Sequence, residues 1–137
     1  MNILIVDDVL ENRKLLLEIL HSYGSCDLAL DGVEAVDFVE ASLAEDNHYN
    51  LILLDIMMPK MDGQTALRKI RALEYEHGIT GSKEAVILMV TANDSPRSAT
   101  EAFFKGYCTD YLSKPITRQL LLAKLQEYNL IKDLDNP

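Results

Sequence analysis

Leu51-Ile52-Leu53-Leu54-Asp55-Ile56-Met57-Met58-Pro59-Lys60-Met61-Asp62-Gly63 is the stretch from which the fold of this chain is read. Four apolar residues in a row, 51–54, make a strand covered on both faces, because a strand with one wet face alternates apolar and polar side chains. Strands of that kind belong to parallel sheets. Asp55 then stands at the C-terminal end of the strand, Met58-Pro59 marks a turn, and Asp62 is placed to cap a helix over residues 63–76. Strand, carboxylate, turn and helix in this order put the polar loop at the C-terminal edge of a sheet, where open α/β folds bind ligands.

The same pattern extends in both directions. Residues 3–6 and 86–90 are also continuously apolar, and shorter β-rich runs lie at 28–30 and 107–112. Segments with helical periodicity separate them: Leu16, Ile19, Leu20 and Tyr23 share one face, Ala35, Val36, Val39 and Leu43 another, and Leu121, Leu125 and Tyr128 a third. Asp31 with Glu34 resembles a capping box, Ser95-Pro96 gives a cap and a first-turn proline, and Thr117 starts a last helix. Five strands alternating with five helices imply an α/β fold with a parallel sheet. Two polar loops, 44–50 and 75–84, are the longest connections, the second carrying Gly78 and Gly81.

With 137 residues, 48% hydrophobic and 26% charged, the chain suits one domain, expected over residues 1–130, with 131–137 a tail or the start of a linker. No apolar run approaches the roughly 20 residues of a membrane span, and no basic region or cleavage-like site precedes the first strand. A cytoplasmic protein without membrane contact is expected. The formal net charge of −9 repels nucleic acid, so direct binding to it is not expected. Cys26 and Cys108 match no metal-ligand spacing and read as reduced packing residues.

The chemistry gathers at the strand ends. Asp7 and Asp8 follow the first strand and Asp55 the third; if those strands are neighbours, three carboxylates converge and resist joint ionisation. A cation belongs among them, and oxygen donors suit Mg²⁺. Thr91 follows the fourth strand and Lys114 the fifth, adding a hydroxyl and an ammonium at the same edge. Together these are the groups that phosphoryl transfer to a carboxylate requires.

Asp7-Asp8 after a strand, the segment from Leu54 through Asp55 and Pro59 to Gly63, Val90-Thr91-Ala92, and Asp110-Tyr111-Leu112-Ser113-Lys114-Pro115-Ile116 resemble the receiver domains of two-component signalling, in order and spacing, over about residues 2–128. The resemblance implies a doubly wound, flavodoxin-like fold whose five parallel strands run in the order 2-1-3-4-5, flanked by five helices. It implies that Asp55 is the phosphoacceptor, taking a phosphoryl group from a phosphohistidine of a histidine kinase or histidine phosphotransfer protein. Asp8, Asp55 and the backbone carbonyl of Met57 would hold Mg²⁺ (or Mn²⁺), with Asp7 acting through water. Lys114 would grip one phosphoryl oxygen and Thr91 another, Thr91 and Tyr111 would form the switch, and the Lys114-Pro115 bond would be cis. A downstream effector protein or output domain would read the switch on the surface of the helix after Ser95, the last strand and the last helix. The domain would be a monomer or weak dimer, and no enzyme beyond its own phosphorylation and dephosphorylation. Met57 and Asn93 stand where water approaches the phosphoryl group. In the 2-1-3-4-5 order, Cys26 and Cys108 fall on opposite edges, roughly 19 Å apart from four strand spacings, too far for a disulfide.

Other functions fit less well. Phosphohydrolases using an aspartyl phosphate carry D-x-D, which Asp7-Asp8 is not, and no G-x-x-x-x-G-K-[ST] loop is present for a nucleotide switch. His21, His48 and His77 are scattered between a helix and two loops, unlike a phosphotransfer helix bundle.

Overall fold

The computed structural model describes residues 1–91 and 107–132. Strands β1 (Asn2–Val6), β2 (Ser25–Ala29), β3 (Leu51–Asp55), β4 (Val86–Thr91) and β5 (Asp110–Ser113) form one sheet in the order β2-β1-β3-β4-β5. Every neighbouring pair is parallel. The described helices are α1 (Leu10–Leu20), α2 (Gly32–Ala44), α3 (Gly63–Glu76) and α4 (Arg118–Glu127), with a 3-10 turn at Gly81–Lys83. Asn93 and the helix expected from Ser95-Pro96 lie outside the described residues.

Side chains alternate across a strand, so each inner strand feeds two cores. Ile3, Ile5, Leu51, Leu53 and Leu88 pack with side chains of α1 and α4, among them Leu16, Leu20, Leu121 and Leu125. Leu4, Val6, Ile52, Leu54, Ile87 and Met89 pack on the other face with Ala35 and Val39 of α2 and Leu67 and Ile70 of α3. This explains why β3 is apolar at consecutive positions, all five of its residues being buried. Each buried Leu or Ile contributes roughly 1.5–3 kcal/mol, and that anchorage fixes the loops that leave the inner strands. Among the described residues, no helix is long and apolar enough to cross a membrane.

The helix starts follow local chemistry. The Oδ1 of Asp31 accepts from the Glu34 N–H at 2.9 Å, and Glu34 returns a bond by accepting from the Leu30 N–H at 2.7 Å. Asp62 accepts from Thr65 N–H and Thr117 from Leu120 N–H in the same way.

Several boundaries differ from expectation. β2 begins at Ser25 instead of residue 28, because an edge strand with mostly exposed side chains carries little apolar signal. The last strand begins at Asp110 instead of Tyr107, whose carbonyl is held by the Arg71 Nε at 2.6 Å. The loop expected from residue 75 begins after Glu76, and in the earlier loop Tyr49 is buried, its hydroxyl donating to Asp27 Oδ2 at 2.6 Å. Cys26 and Cys108 form no disulfide and pack against opposite cores. Burial raises the pKa of both thiols.

Candidate functional site

β1 and β3 are adjacent, with Val6 opposite Leu54, so the carboxylates at their C-terminal ends meet. Ligand oxygens of Asp7, Asp8 and Asp55 all lie within 4.8 Å of one another. Asp7 and Asp55 are buried, at 2% and 5% exposure, while Asp8 is exposed. Two unit charges at that separation repel by about 3 kcal/mol at an effective dielectric of about 20.

Each buried carboxylate is held by its loop. Asp7 Oδ1 accepts from the Val9 N–H at 2.9 Å, and its Oδ2 accepts from the Asn12 side-chain amide at 3.2 Å. Asp55 Oδ1 accepts from the Met57 N–H at 3.2 Å. The loop after Asp55 is closed by Gly63, whose N–H donates to the Ile56 carbonyl at 3.0 Å; a Cβ at Gly63 would overlap the Asp55 carbonyl oxygen. Only glycine lets α3 start this close to the acidic strand end.

Lys114 reaches the same point from β5. Its backbone N–H donates to the Thr91 carbonyl at 2.8 Å, which ties the exits of β4 and β5 together, and the Lys114-Pro115 bond is cis. Its Nζ lies 3.3 Å from Asp55 Oδ2 and 3.7 Å from Asp7 Oδ2. Burial first, then the charge of Asp7, pushes the Asp55 carboxyl above its usual pKa; Lys114 and the Met57 N–H oppose this only in part. The cluster is therefore short of positive charge. Beside it opens a cavity of about 370 Å³ lined by Asp7, Asn12, Leu15, Lys114 and Ile116 among others.

The structure thus brings together Asp7, Asp8, Asp55 and Lys114. Thr91 is buried at the end of β4, but its hydroxyl donates to the Leu112 carbonyl across 3.5 Å, a long bond. Tyr111 sits opposite Met89 and packs, half-buried, against the α2 and α3 side of the core. The Met57 side chain is 75% exposed, its backbone being the part nearest Asp55. His21 and His77 bond carbonyls of their own helices.

Two residues of this edge escaped the sequence reading, Asn12 and Arg13. Arg13 is buried and its guanidinium donates to the Asp7 carbonyl at 2.7 Å. Both lie in the first turn of α1, five and six residues after Asp7, a closeness in sequence that could have drawn attention to them.

A family model described as "Response regulator receiver domain" matches residues 3–126. Among solved structures, the receiver domain of sensor histidine kinase PA1611 from Pseudomonas aeruginosa, with a magnesium ion in its active-site cleft, is 30% identical, with a TM-score of 0.73 and coverage of 93% of this chain and 95% of that one. A receiver domain from Saccharomyces cerevisiae, that of Ssk1 in complex with the histidine phosphotransfer protein Ypd1, gives 32% identity and a TM-score of 0.76 over 98% of this chain and 94% of the other. Among curated proteins, hybrid signal transduction histidine kinase M of Dictyostelium discoideum is 32% identical over 96% of this chain, which spans 5% of that protein. Response regulator MprA of Mycobacterium sp. (strain KMS) is 36% identical over 90% of the chain, which spans 48% of it. The chain therefore spans half or less of these curated relatives' length.

Proposed function

This chain belongs to the response regulator receiver domain family of two-component and phosphorelay signalling, and from that membership we propose that Asp55 is its phosphoacceptor. The observation that carries the reading is the placing of the buried Asp55 carboxylate between the Lys114 ammonium, at 3.3 Å, and the carboxylates of Asp7 and Asp8. An Asp55 oxygen attacks the phosphorus of a partner's phosphohistidine; the O–P bond forms as the P–N bond breaks, and its electron pair returns to the imidazole. Lys114 neutralises a phosphoryl oxygen as it arrives. Its position just after β5, tied to Thr91, requires no rearrangement for that.

Three carboxylates against one ammonium, one of them held above its normal pKa, fit a divalent cation, and oxygen donors with room for water fit Mg²⁺, or Mn²⁺ in its place. Asp8, Asp55 and the Met57 carbonyl would hold it, with Asp7 acting through water. When bound, it supplies the charge that lets a phosphoryl group enter an acidic cleft.

After transfer, the Thr91 hydroxyl exchanges its long bond to Leu112 for one to a phosphoryl oxygen, and Tyr111 repacks on the neighbouring strand. The differential contact of Thr91 with the phosphoryl group is what separates the two states. The domain acts on itself and turns over no other substrate. The Ypd1 complex and the hybrid kinases among its relatives support a histidine phosphotransfer protein or histidine kinase as donor, acting in the cytoplasm, with an effector protein or output domain as reader. Residues 1–130 are the working unit, a monomer or weak dimer, with 131–137 a tail or the start of a linker.

The test is intact mass after treatment with acetyl phosphate and Mg²⁺. One phosphoryl group is expected, at Asp55, lost in Asp55→Asn and on chelation of the metal. Equal labelling of the Asp55→Asn protein overturns the assignment.

A further inference from the structure

The net charge of −9 is concentrated in one third of the chain: residues 15–59 contain nine acidic residues and no lysine or arginine, and the remaining residues are balanced. In the fold this stretch holds β2, α2 and β3, and four of its acids, Asp27, Glu34, Asp37 and Glu45, line hollows beside the open edge of the sheet. β2 is the outermost strand, paired with β1 alone. Ser25 donates to the Met1 carbonyl, and Ala29 accepts from the Asp7 N–H. With a period of two, the backbone groups of Cys26 and Leu28 therefore face outward from the sheet.

A groove runs beside that edge. Glu34, Asp37, Phe38, Ala41 and Glu45 recur at helical spacing on one side of α2, and the small Ala41 leaves the middle of the stripe open. Leu28, Glu34, Asp37, Phe38 and Ala41 line a hollow of about 510 Å³. Phe38 and Ala41 also line a second hollow of about 290 Å³, whose walls include Asp27 and Glu45. Leu28, which lines the first hollow, is 37% exposed. Among the described residues, no lysine or arginine lies within ion-pair distance of Asp27, Glu34, Asp37 or Glu45.

We propose that this face docks a basic polypeptide segment, extended along β2, with an apolar side chain on Phe38 and lysines or arginines opposite Asp37 and Glu45. A second copy of the chain would set like charge against like charge, and so would a nucleic acid. An extended basic segment satisfies all three features: main-chain bonds to the open strand supply affinity, and alternate side chains meet the apolar floor and the acidic rim. The surface uses no residue of the Asp55 site and stands or falls separately from it.

The experiment titrates ¹⁵N-labelled protein, with Mg²⁺ present, with an eight-residue peptide alternating lysine with valine and phenylalanine. Its control carries glutamate in place of lysine. Amide shifts are expected within residues 25–45, with affinity falling at least about tenfold between about 50 and 300 mM salt and none for the control. Asp37→Lys/Glu45→Lys and, separately, Ala41→Arg alter exposed positions, so their spectra elsewhere should match the parent while the response is lost. Unchanged binding in both variants, shifts centred on Asp7, Asp8 and Asp55, or binding of the glutamate peptide would overturn the proposal. Concentration-dependent shifts of residues 25–45 without peptide would overturn it in favour of a second copy.

Discussion

The Nζ of Lys114 stands 3.3 Å from Oδ2 of Asp55, the last residue of β3, although the two are 59 positions apart in sequence. Lys114 and the proposed Mg²⁺ would thus compete for the same carboxylate charge. Lys114→Ala should slow labelling by acetyl phosphate about 100-fold, the loss typical of one transition-state donor, while Mg²⁺ binds more tightly to a cluster that has gained net negative charge. Initial labelling rates and a calorimetric Mg²⁺ titration separate the two effects. Weaker metal binding in the variant would contradict this competition.

Asp55 also sets a pH dependence in the metal-free protein. Burial and Asp7 raise its folded pKa, so its contribution to stability is full below the unfolded value near 3.9 and is lost as pH rises through the higher folded value. Asp55→Asn should therefore raise Tm at pH 7 and bring no gain below about pH 4. Millimolar Mg²⁺ should raise the parent Tm and narrow the gap. Thermal scans across pH check the sign.

Asn12 holds Asp7 Oδ2 at 3.2 Å from α1. Losing that bond frees the carboxylate proposed to hold the cation through water, and removing an outer partner of a metal site typically costs 10- to 100-fold in affinity. Asn12→Ala should weaken Mg²⁺ binding by about tenfold, with a stability change under about 1 kcal/mol for a partly exposed amide. Equal metal affinities in titration would remove Asn12 from the site.

Arg71 and Glu74 form the most buried ion pair among the described residues, 2.7 Å apart with side-chain exposures of 13% and 4%. Arg71 also donates to the carbonyls of Ala85 and Tyr107, and Glu74 accepts from the Ala85 N–H at 2.8 Å. This network closes the loop between α3 and β4. Arg71→Ala should cost about 3–5 kcal/mol, because it strands a buried carboxylate, and Arg71→Ala/Glu74→Leu should recover part of that. Denaturant melts give the comparison, and a double variant no better than the single would argue against it.

Asp110 behaves oppositely to Asp55. Burial alone would raise its pKa, but hydrogen bonds from Lys124 at 2.6 Å and Tyr128 at 2.7 Å hold it below the usual carboxylate range. Its stabilising effect is present above the unfolded pKa and is lost as pH falls through the folded one. Asp110→Asn should cost about 1–3 kcal/mol at pH 7 and nothing once both carboxyls are protonated. A penalty that persists in strong acid would point to packing instead.

How much was legible beforehand follows from which signals are local. Leu51–Asp55 declared itself as an inner strand because burial on both faces leaves consecutive apolar residues. Asp31, Asp62 and Thr117 declared helix starts because a cap acts on an amide only a few residues away. β2 was misplaced because an edge strand is free to carry Ser25 and Asp27. The Arg71 network went unseen, since nothing local marks a side chain that bonds a distant segment's backbone.

The sequence by itself determined the inner strands and the starts of three helices, the position of each chemical group at a strand end, and, through the resemblance, the family. Each of these depends on residues within a turn or two of one another. Which carboxylates converge, and that Lys114 faces Asp55 while the Thr91 hydroxyl faces Leu112, was decided only by the tertiary structure. It also decided that Asp27, Glu34, Asp37 and Glu45 line hollows beside the open edge of the sheet. The physical reason is the crossover order of a parallel sheet: strands adjacent in space are separated in sequence by whole helices, so contacts across the sheet edge exist only once every strand is in place.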